Sequence, residues 1–312
     1  MTRVSVIIVS FEVRDLLRAC LKSVRLQRGV EVEVWVVDNA SRDGSASMVA
    51  KEFPEVRVIP NQENLGFPRA SNQAMARATG DMLLLLNPDT ELPAGSLREL
   101  GAVFGRHSSA GAVGFALETP FGKPQPACHS FPGVVNLLIE ALGLHRAMLR
   151  VGFGTPTAAP IPGNGEGEVD WVGGACMALS RDAYHRVGGL NEKVFMYGEE
   201  MDWSWRAKRL GLATVFSNRV SVIHHGGASG EGLRGSLFIR VQEARLLFLR
   251  NHRGQWLAAV AREIAAMGAL LRLTYWAPRA WIEALLGGVQ PWTRAQNDRF
   301  RAVLAWRLGM RS

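Results

Sequence analysis

The amino-terminal third of the chain repeats one rhythm, an apolar run that ends in polar residues and leads into a helix-like segment. That alternation is the pattern of parallel βαβ units. Val4 to Val9 reads as a buried strand, and Asp15 to Leu26 as a helix with apolar Leu16, Leu17, Cys20, Leu21 and Val24. Val32 to Val37, Val56 to Ile59 and Met82 to Leu86 read as further strands, with helices over Ala46 to Phe53 and Ala70 to Ala78. Each strand ends in residues suited to a sheet rim: Ser10, Asp38-Asn39, Asn61 and Asn87-Pro88-Asp89. Ligands of open α/β sheets bind beyond the carboxyl ends of the strands, so these residues are expected to converge on one crevice. The expected fold is therefore α/β, a Rossmann-like doubly wound and mostly parallel sheet, and 312 residues at 47% apolar composition can bury its core.

The rest of the chain is less regular. Gly152 to Glu168 is rich in glycine and proline and is expected to be a mobile loop. Cys20, Cys128 and Cys176 are far apart and odd in number, which indicates neither a disulfide framework nor a zinc site. Met1-Thr2-Arg3 leads directly into the first strand with no secretory signal pattern, so the expected location is the cytoplasm, peripheral to the inner face of the cell membrane at most. The net charge of +8 is concentrated at one end. From Ser236 to Ser312 there are twelve Arg, no Lys and four acids (Glu243, Glu263, Glu283, Asp298), so this tail carries the whole excess. Trp256, Trp276, Trp281, Trp292 and Trp306 are interleaved with the arginines, a composition suited to an anionic membrane because indole rings favour the headgroup zone. Nucleic acid is the competing partner for such charge, and none is expected to bind. Trp256 to Ala277 is long enough to span a bilayer, but Arg262, Glu263 and Arg272 interrupt it, which predicts a helix on or near the membrane. A core-packing helix with a solvated basic face would have the same composition.

Four short constellations could carry chemistry. In Val37-Asp38-Asn39-Ala40-Ser41-Arg42-Asp43-Gly44-Ser45, a carboxylate at a strand end can accept the imide N–H of uracil or thymine, or can merely cap a helix that Ser45 also suits. In Leu86-Asn87-Pro88-Asp89-Thr90 a buried strand stops at an amide and a carboxylate. Mg2+ and Mn2+ take oxygen ligands, commonly one or two carboxylates plus substrate phosphates, so Asp89 is the candidate ligand; a plain turn is the alternative. Glu199, Glu200 and Asp202 put three carboxylates at the start of a helix. The helix dipole favours acids there, while mutual repulsion and burial would raise a pKa toward that of a general base. Paired His224 and His225 end an apolar run before Gly226-Gly227, where one imidazole could reach a metal or phosphate.

In this order the motifs resemble the inverting glycosyltransferase family 2, and within it the rhamnosyltransferase-like branch. The match covers about residues 3 to 230 and includes Val4 to Phe11, Val37 to Ser45, Asn64-Leu65-Gly66-Phe67 with Asn72, Asn87 to Thr90, Gly173-Gly174-Ala175, Phe195 to Asp202 with Arg206, and His224. The resemblance implies a GT-A fold with a catalytic domain over residues 1–235, residues 1–100 holding the nucleotide sugar and 101–235 the acceptor, and a basic helical extension over 236–312. It implies single-displacement transfer from a dTDP- or UDP-sugar with inversion, and L-rhamnose to a saccharide or polyprenyl-diphosphate-linked acceptor in envelope polysaccharide synthesis. Asp38 would contact the base, Ser10 and Asn64 would line the nucleoside pocket, and Asn87 and Asp89 would meet the diphosphate. Asp89 and His224 would hold Mg2+ or Mn2+. Glu200 takes the catalytic-base position, and Glu199, Asp202, Trp171, Gly173 and Gly174 would serve the acceptor. Two positions depart from the family's pattern: Asn87-Pro88-Asp89 replaces Asp-x-Asp, and Glu200 replaces the usual Asp.

Other readings use the same residues differently. Another family 2 transferase, moving a galactofuranosyl, glucosyl or N-acetylglucosaminyl group, needs no change in the motifs. Nucleotidyl transfer requires a basic, glycine-rich phosphate loop after the first strand, which Val9-Ser10-Phe11-Glu12 lacks. A non-catalytic sugar-nucleotide-binding module would leave Glu199, Glu200 and Asp202 as solvated surface.

Overall fold

The computed structural model describes residues 2–226, 234–286 and 288–308. They form two compact units, one of residues 2–130 and 157–226, the other of residues 131–156 with the described residues from 234 onward.

In the first unit β1 (Arg3–Ser10), α1 (Arg14–Arg25), β2 (Glu31–Asp38), α2 (Ser45–Glu52), β3 (Arg57–Pro60), α3 (Phe67–Met75) and β4 (Met82–Leu86) follow in the expected alternation. Next come β5 (Thr90–Glu91), α4 (Ser96–Arg106), β6 (Ala110–Glu118), β7 (Pro124–Gln125) and β8 (Cys128–His129). The chain then contributes α5 (Val134–Ala141) and α6 (His145–Arg150) to the second unit. It returns through β9 (Glu166–Val169), β10 (Trp171–Val172), β11 (Cys176–Ser180), α7 (Arg181–Val187), α8 (Glu199–Arg209) and β12 (Ala213–His224). The second unit closes with α9 (Arg234–His252), α10 (Gln255–Leu285) and α11 (Pro291–Arg307).

The main sheet runs β3-β2-β1-β4-β11-β6-β12-β5. The first four strands are parallel, β11 is antiparallel to β4 and β6, and β12 is parallel to β6. Strands covered on both faces need continuous apolar runs, and Val4 to Ser10 of β1 and all of β4 are buried. α1 buries Leu17, Cys20, Leu21 and Val24, spaced three and four residues apart, each worth about 1.5–3 kcal/mol when the side chain is large and fully covered. All three cysteines are buried free thiols.

Two local expectations are corrected. The acceptor at the start of α2 is Asp43, whose Oδ1 takes the Ser45 N–H at 3.0 Å, with Gly44 in the left-handed region at φ +84°. Ser45 donates to that cap instead of supplying it. Residues 166–168, the end of the stretch placed in a loop by its glycines and prolines, form β9 with Val169, antiparallel to β12. Their partners are distant in sequence, which local breakers cannot reveal. Glu166 Oε1 and Oε2 accept from Arg106 at 2.8 Å, and Ser217 Oγ donates to Oε2 at 2.8 Å. The Arg106 guanidinium is the largest influence holding the Glu166 carboxyl down at about 2.

One contact ties the two halves of the first unit. Gly66 has φ +79°, a Cβ there would lie 2.4 Å from the Phe195 carbonyl oxygen, and the next N–H, of Phe67, donates to that oxygen at 2.8 Å. Gly66→Ala is expected to cost about 1–3 kcal/mol, seen as a lower Tm in thermal unfolding. An unchanged Tm would refute the close approach.

Candidate active site

Ser10 and Asp38 end β1 and β2 as direct register partners. Both are buried, and Ser10 Oγ and Asp38 Oδ1 have no hydrogen-bond partner among the described residues. Burial raises the Asp38 carboxyl above its ordinary range, opposed by hydrogen bonds from the Ser41 hydroxyl and backbone N–H. Leaving two such atoms unpaired costs stability, so the pair is suited to a ligand that donates a hydrogen bond, as a pyrimidine imide does. The adjacent Asn39 organises the next loop. Its Nδ2 donates to Asn64 Oδ1 at 2.9 Å and to the Gly66 carbonyl at 3.3 Å, while its Oδ1 accepts from Asn61 Nδ2 at 3.0 Å and Leu65 N–H at 3.2 Å. Asn64 Oδ1 also accepts from Gly66 N–H at 3.0 Å. Asn64 is thus committed to the loop through its oxygen, and only its amide hydrogens can serve a ligand.

Asp89 lies between β4 and β5, and His224 ends β12 opposite Thr90. His224 Nε2 is 3.5 Å from Asp89 Oδ1. Gln125, on β7, holds the imidazole from the other side: its Oε1 lies 2.7 Å from Nδ1 while its Nε2 donates to the His224 carbonyl at 2.8 Å. With the Gln125 amide so oriented, Nδ1 is the donor and Nε2 carries the lone pair. Burial lowers the His224 pKa, against the raising effect of Asp89, so the ring is neutral at neutral pH. Two acceptors therefore face each other, an imidazole lone pair and a carboxylate oxygen, and a cation between them satisfies both. No set of three or more His, Cys, Asp or Glu side chains suited to a metal occurs among the described residues, so further ligands would have to come from substrate oxygens, as Mg2+ and Mn2+ accept. His225 does not share this role; its Nε2 pairs with Glu91 Oε1 at 2.9 Å. Gly227 lies outside the described residues.

The third part surrounds the start of α8. Tyr197 at φ +73° and Gly198 at φ +87° turn the chain sharply into the helix, and strain of this kind in a non-glycine residue marks a position fixed by its surroundings. Glu199 and Glu200 are both buried, and each has an Oε2 with no partner among the described residues. The Glu200 carboxylate lies against Gly174, where a Cβ would be 3.6 Å from its Oε1. Burial raises the Glu200 pKa, opposed by its own backbone N–H and those of Gly174 and Gly198. Glu199 is raised well above its ordinary value by burial and then by the charge of Glu200. Burial thus favours the neutral form of both carboxyls, while the backbone N–H groups at Gly174 and Gly198 favour charge on Glu200. Asp202 is engaged differently: Arg206 Nε donates to its Oδ2 at 2.9 Å, and the same guanidinium donates to the carbonyls of Val187 and Gly189 at 2.7 Å.

The glycine loop joins the other two parts. Asn87 N–H donates to the Ala175 carbonyl at 3.0 Å, so the Asn-Pro-Asp turn and Gly173-Gly174-Ala175 are backbone neighbours. Trp171 Nε1 donates to the Ser130 carbonyl at 3.1 Å, and its ring stacks on His129 at 4.1 Å between centroids. Sequence reading missed His129, Gln125 and Asn39. For Gln125 and His129 nothing local signalled a role; Asn39 stood next to Asp38 in a quoted motif and was passed over for its charged neighbour.

The sequence profile of the Glycosyl transferase family 2 matches residues 5–160, half of the chain. The chain belongs to glycosyltransferase family 2. The N-acetylglucosaminyl-diphospho-decaprenol L-rhamnosyltransferase of Mycobacterium tuberculosis is 28% identical over 265 residues, covering 81% of this chain and 86% of that protein. The O-antigen biosynthesis protein RfbC of Myxococcus xanthus is 30% identical over 72% of this chain, which corresponds to 17% of that larger protein. Among solved structures, the mannosyltransferase PcManGT from Pyrobaculum calidifontis, in complex with GDP-Man and Mn2+, aligns over 98% of this chain and 86% of its own, with a TM-score of 0.57 and 18% identity. At that identity the likeness shows the fold, the GT-A architecture of this family 2 chain.

The Glu199–Glu200 pair makes a stability prediction. A carboxyl whose pKa is raised on folding costs nothing below the unfolded value, and destabilises increasingly as pH climbs from that value toward the folded one. Glu199→Gln removes the cost, so its Tm should exceed the wild type's at neutral pH by about 2–4 °C per kcal/mol relieved. The difference should vanish near and below the ordinary glutamate value of 4.5. Equal Tm values at all pH would contradict the buried pair.

Proposed function

We propose that this protein transfers L-rhamnose from dTDP-rhamnose, with inversion, to a saccharide or polyprenyl-diphosphate-linked acceptor in bacterial envelope polysaccharide synthesis. The observation that carries the chemistry is the pair of facing acceptors at Asp89 and His224, in the same unit as Asp38 at a strand end and Glu200 with an unpaired carboxylate oxygen. The choice of sugar and acceptor rests on the mycobacterial relative, whose name specifies both the rhamnosyl group and a diphospho-decaprenol acceptor.

Asp38 accepts the base imide, with Ser10 beside it, a contact that thymine and uracil both allow. Asn64 and Asn87 line the nucleotide. Asp89 and His224 would hold Mg2+ or Mn2+, which when bound would supply positive charge to stabilise the nucleoside diphosphate leaving group. Glu200 removes the proton of the acceptor hydroxyl as its oxygen bonds to the anomeric carbon and the bond to the diphosphate breaks. Burial suits Glu200 to that task because it strengthens the carboxylate as a base. The longer side chain brings the Glu200 carboxylate against Gly174. Trp171, Gly173, Gly174 and Glu199 form the acceptor side, and Asp202 orients it through Arg206. A lipid-linked acceptor brings the reaction to a membrane surface, which the protein contacts peripherally.

Incubating the protein with Mg2+ or Mn2+ and a panel of dTDP-, UDP- and GDP-sugars, with and without a polyprenyl-diphosphate sugar, tests the reading through released nucleoside diphosphate. Metal-dependent release from dTDP-rhamnose is expected, with Asp89→Ala and Glu200→Gln slower by about 100-fold to 10,000-fold. If no donor is consumed and none binds in calorimetry, the reading is wrong. Gln125→Leu is expected to weaken Mn2+ binding in the presence of dTDP by about tenfold or more, read by electron paramagnetic resonance, whereas Gln125→Glu keeps the acceptor for His224 and keeps the affinity. Equal affinity in the leucine variant would remove Gln125 from the site.

A further inference from the structure

α10 is the longest helix among the described residues, and it is apolar on two sides. Its inner side buries Ala258, Ala261, Ile264, Gly268 and Ala269 within the second unit, where a Cβ at Gly268 would meet the Ala141 side chain at 2.8 Å. Its outer side carries Met267, Leu270, Leu271, Tyr275, Trp281 and Leu285, each between 44% and 67% exposed. At 100° per residue these positions fall on one side of the helix over about 27 Å. Contiguous exposed apolar surface of this extent marks an interaction site.

The charged residues of α10 do not interrupt that side. Arg272, which breaks the apolar run in the sequence, turns inward: burial lowers its pKa, and its Nη2 donates to the Glu140 carbonyl of α5. Arg279 is bound to Glu283 at 2.9 Å, and Glu263 to Arg307 at 2.8 Å. From Met267 to Leu286 the exposed residues are apolar except Thr274 and Arg279. No helix among the described residues is long and apolar enough to cross a membrane.

We propose that the outer side of α10 is a membrane-docking surface that lies in the plane of an anionic bilayer, with its apolar side chains below the headgroups. This rests on the reading of a lipid-linked acceptor and names the surface that would meet the lipid. Three features select a bilayer over a second copy of the chain. The surface carries Tyr275 and Trp281, rings that partition to the headgroup zone. The segment from Ser236 on carries the chain's entire excess of eight positive charges, complementary to anionic lipid. A helix with a strongly apolar side that is not apolar enough overall to cross a membrane is the mark of a helix that lies on one.

The test uses the full chain with phosphatidylcholine vesicles, with and without phosphatidylglycerol, in co-sedimentation. Wild type should bind the anionic vesicles, and Leu271→Glu/Leu285→Glu should bind at least about tenfold more weakly, while Leu271→Phe/Leu285→Phe retains binding. Brominated lipids should quench the wild type more than Trp281→Phe. Unchanged dTDP binding and far-ultraviolet dichroism would certify that the glutamate variant is folded. Absence of vesicle binding at low salt overturns the proposal. So does binding that the glutamate variant retains in full, which would leave the arginines alone responsible. Concentration-dependent dimerisation without vesicle binding, lost in the glutamate variant, would assign the surface to a second copy. Transfer to a water-soluble acceptor analogue separates the two readings: if it fails while vesicle binding persists, docking stands and the enzymatic reading falls.

Discussion

The parallel pairing of β1 with β2 on one side and β4 on the other is the constraint on which the site depends. Register places Ser10 beside Asp38, and it brings the end of β4 to the same rim, so that the polar strand ends share one edge. Parallel strands buried on both faces leave their termini as the only places where such a sheet can offer polar groups to a ligand. Asn39 then extends the rim sideways by gathering Asn61, Asn64 and Leu65 around one amide. Through Gly66 the same loop abuts Phe195, four residues before α8. The base-reading end and the Glu200 end are thus connected by a backbone path in which most polar atoms are already paired.

Against that paired background the unpaired atoms stand out, and they are sorted by chemistry. Asp38 Oδ1 wants a donor, beside a Ser10 hydroxyl that can give or take a hydrogen bond; Glu200 Oε2 wants a proton; and His224 Nε2 and Asp89 Oδ1, which face each other at 3.5 Å, suit a cation between them. Burial sharpens each demand because an unsatisfied acceptor is costly only where water cannot reach it. The two adjacent glutamates are kept distinct in the same way. The backbone N–H groups of Gly174 and Gly198 favour charge on Glu200, and that charge in turn raises the Glu199 pKa.

Much of this was legible in the sequence where a signal was local. Alternating apolar runs located β1 through β4, and the residues that end them are the rim residues because a buried strand must change character where it emerges. What stayed hidden depended on contacts distant along the chain. Gln125 reaches His224 across 99 residues, and β9 exists because β12 pairs with it. The course of β12 itself includes a register shift between Ser217 and Ser221 that no periodicity announces, and it sets where His224 emerges. Asp202 looked like a third member of an acidic site, but Arg206 one turn on in the same helix engages its carboxylate. A charge cluster in sequence reports proximity along the chain, whereas role follows from which partners the fold supplies.

The carboxyl-terminal helices show the same principle with the opposite sign. Arg262, Glu263 and Arg272 make the sequence of α10 look too charged for an apolar surface. In the fold Arg272 points into the second unit, and Glu263 pairs with Arg307 of α11. An arginine whose guanidinium can satisfy a helix-end carbonyl, as Arg272 does at Glu140, loses less on burial than a lysine would, because its delocalised charge is more weakly hydrated. This helix can therefore be basic in composition and apolar on its outer side. Arg245 and Arg272 are both held against Glu140 of α5, while the excess of arginines over acids leaves the tail its net positive charge.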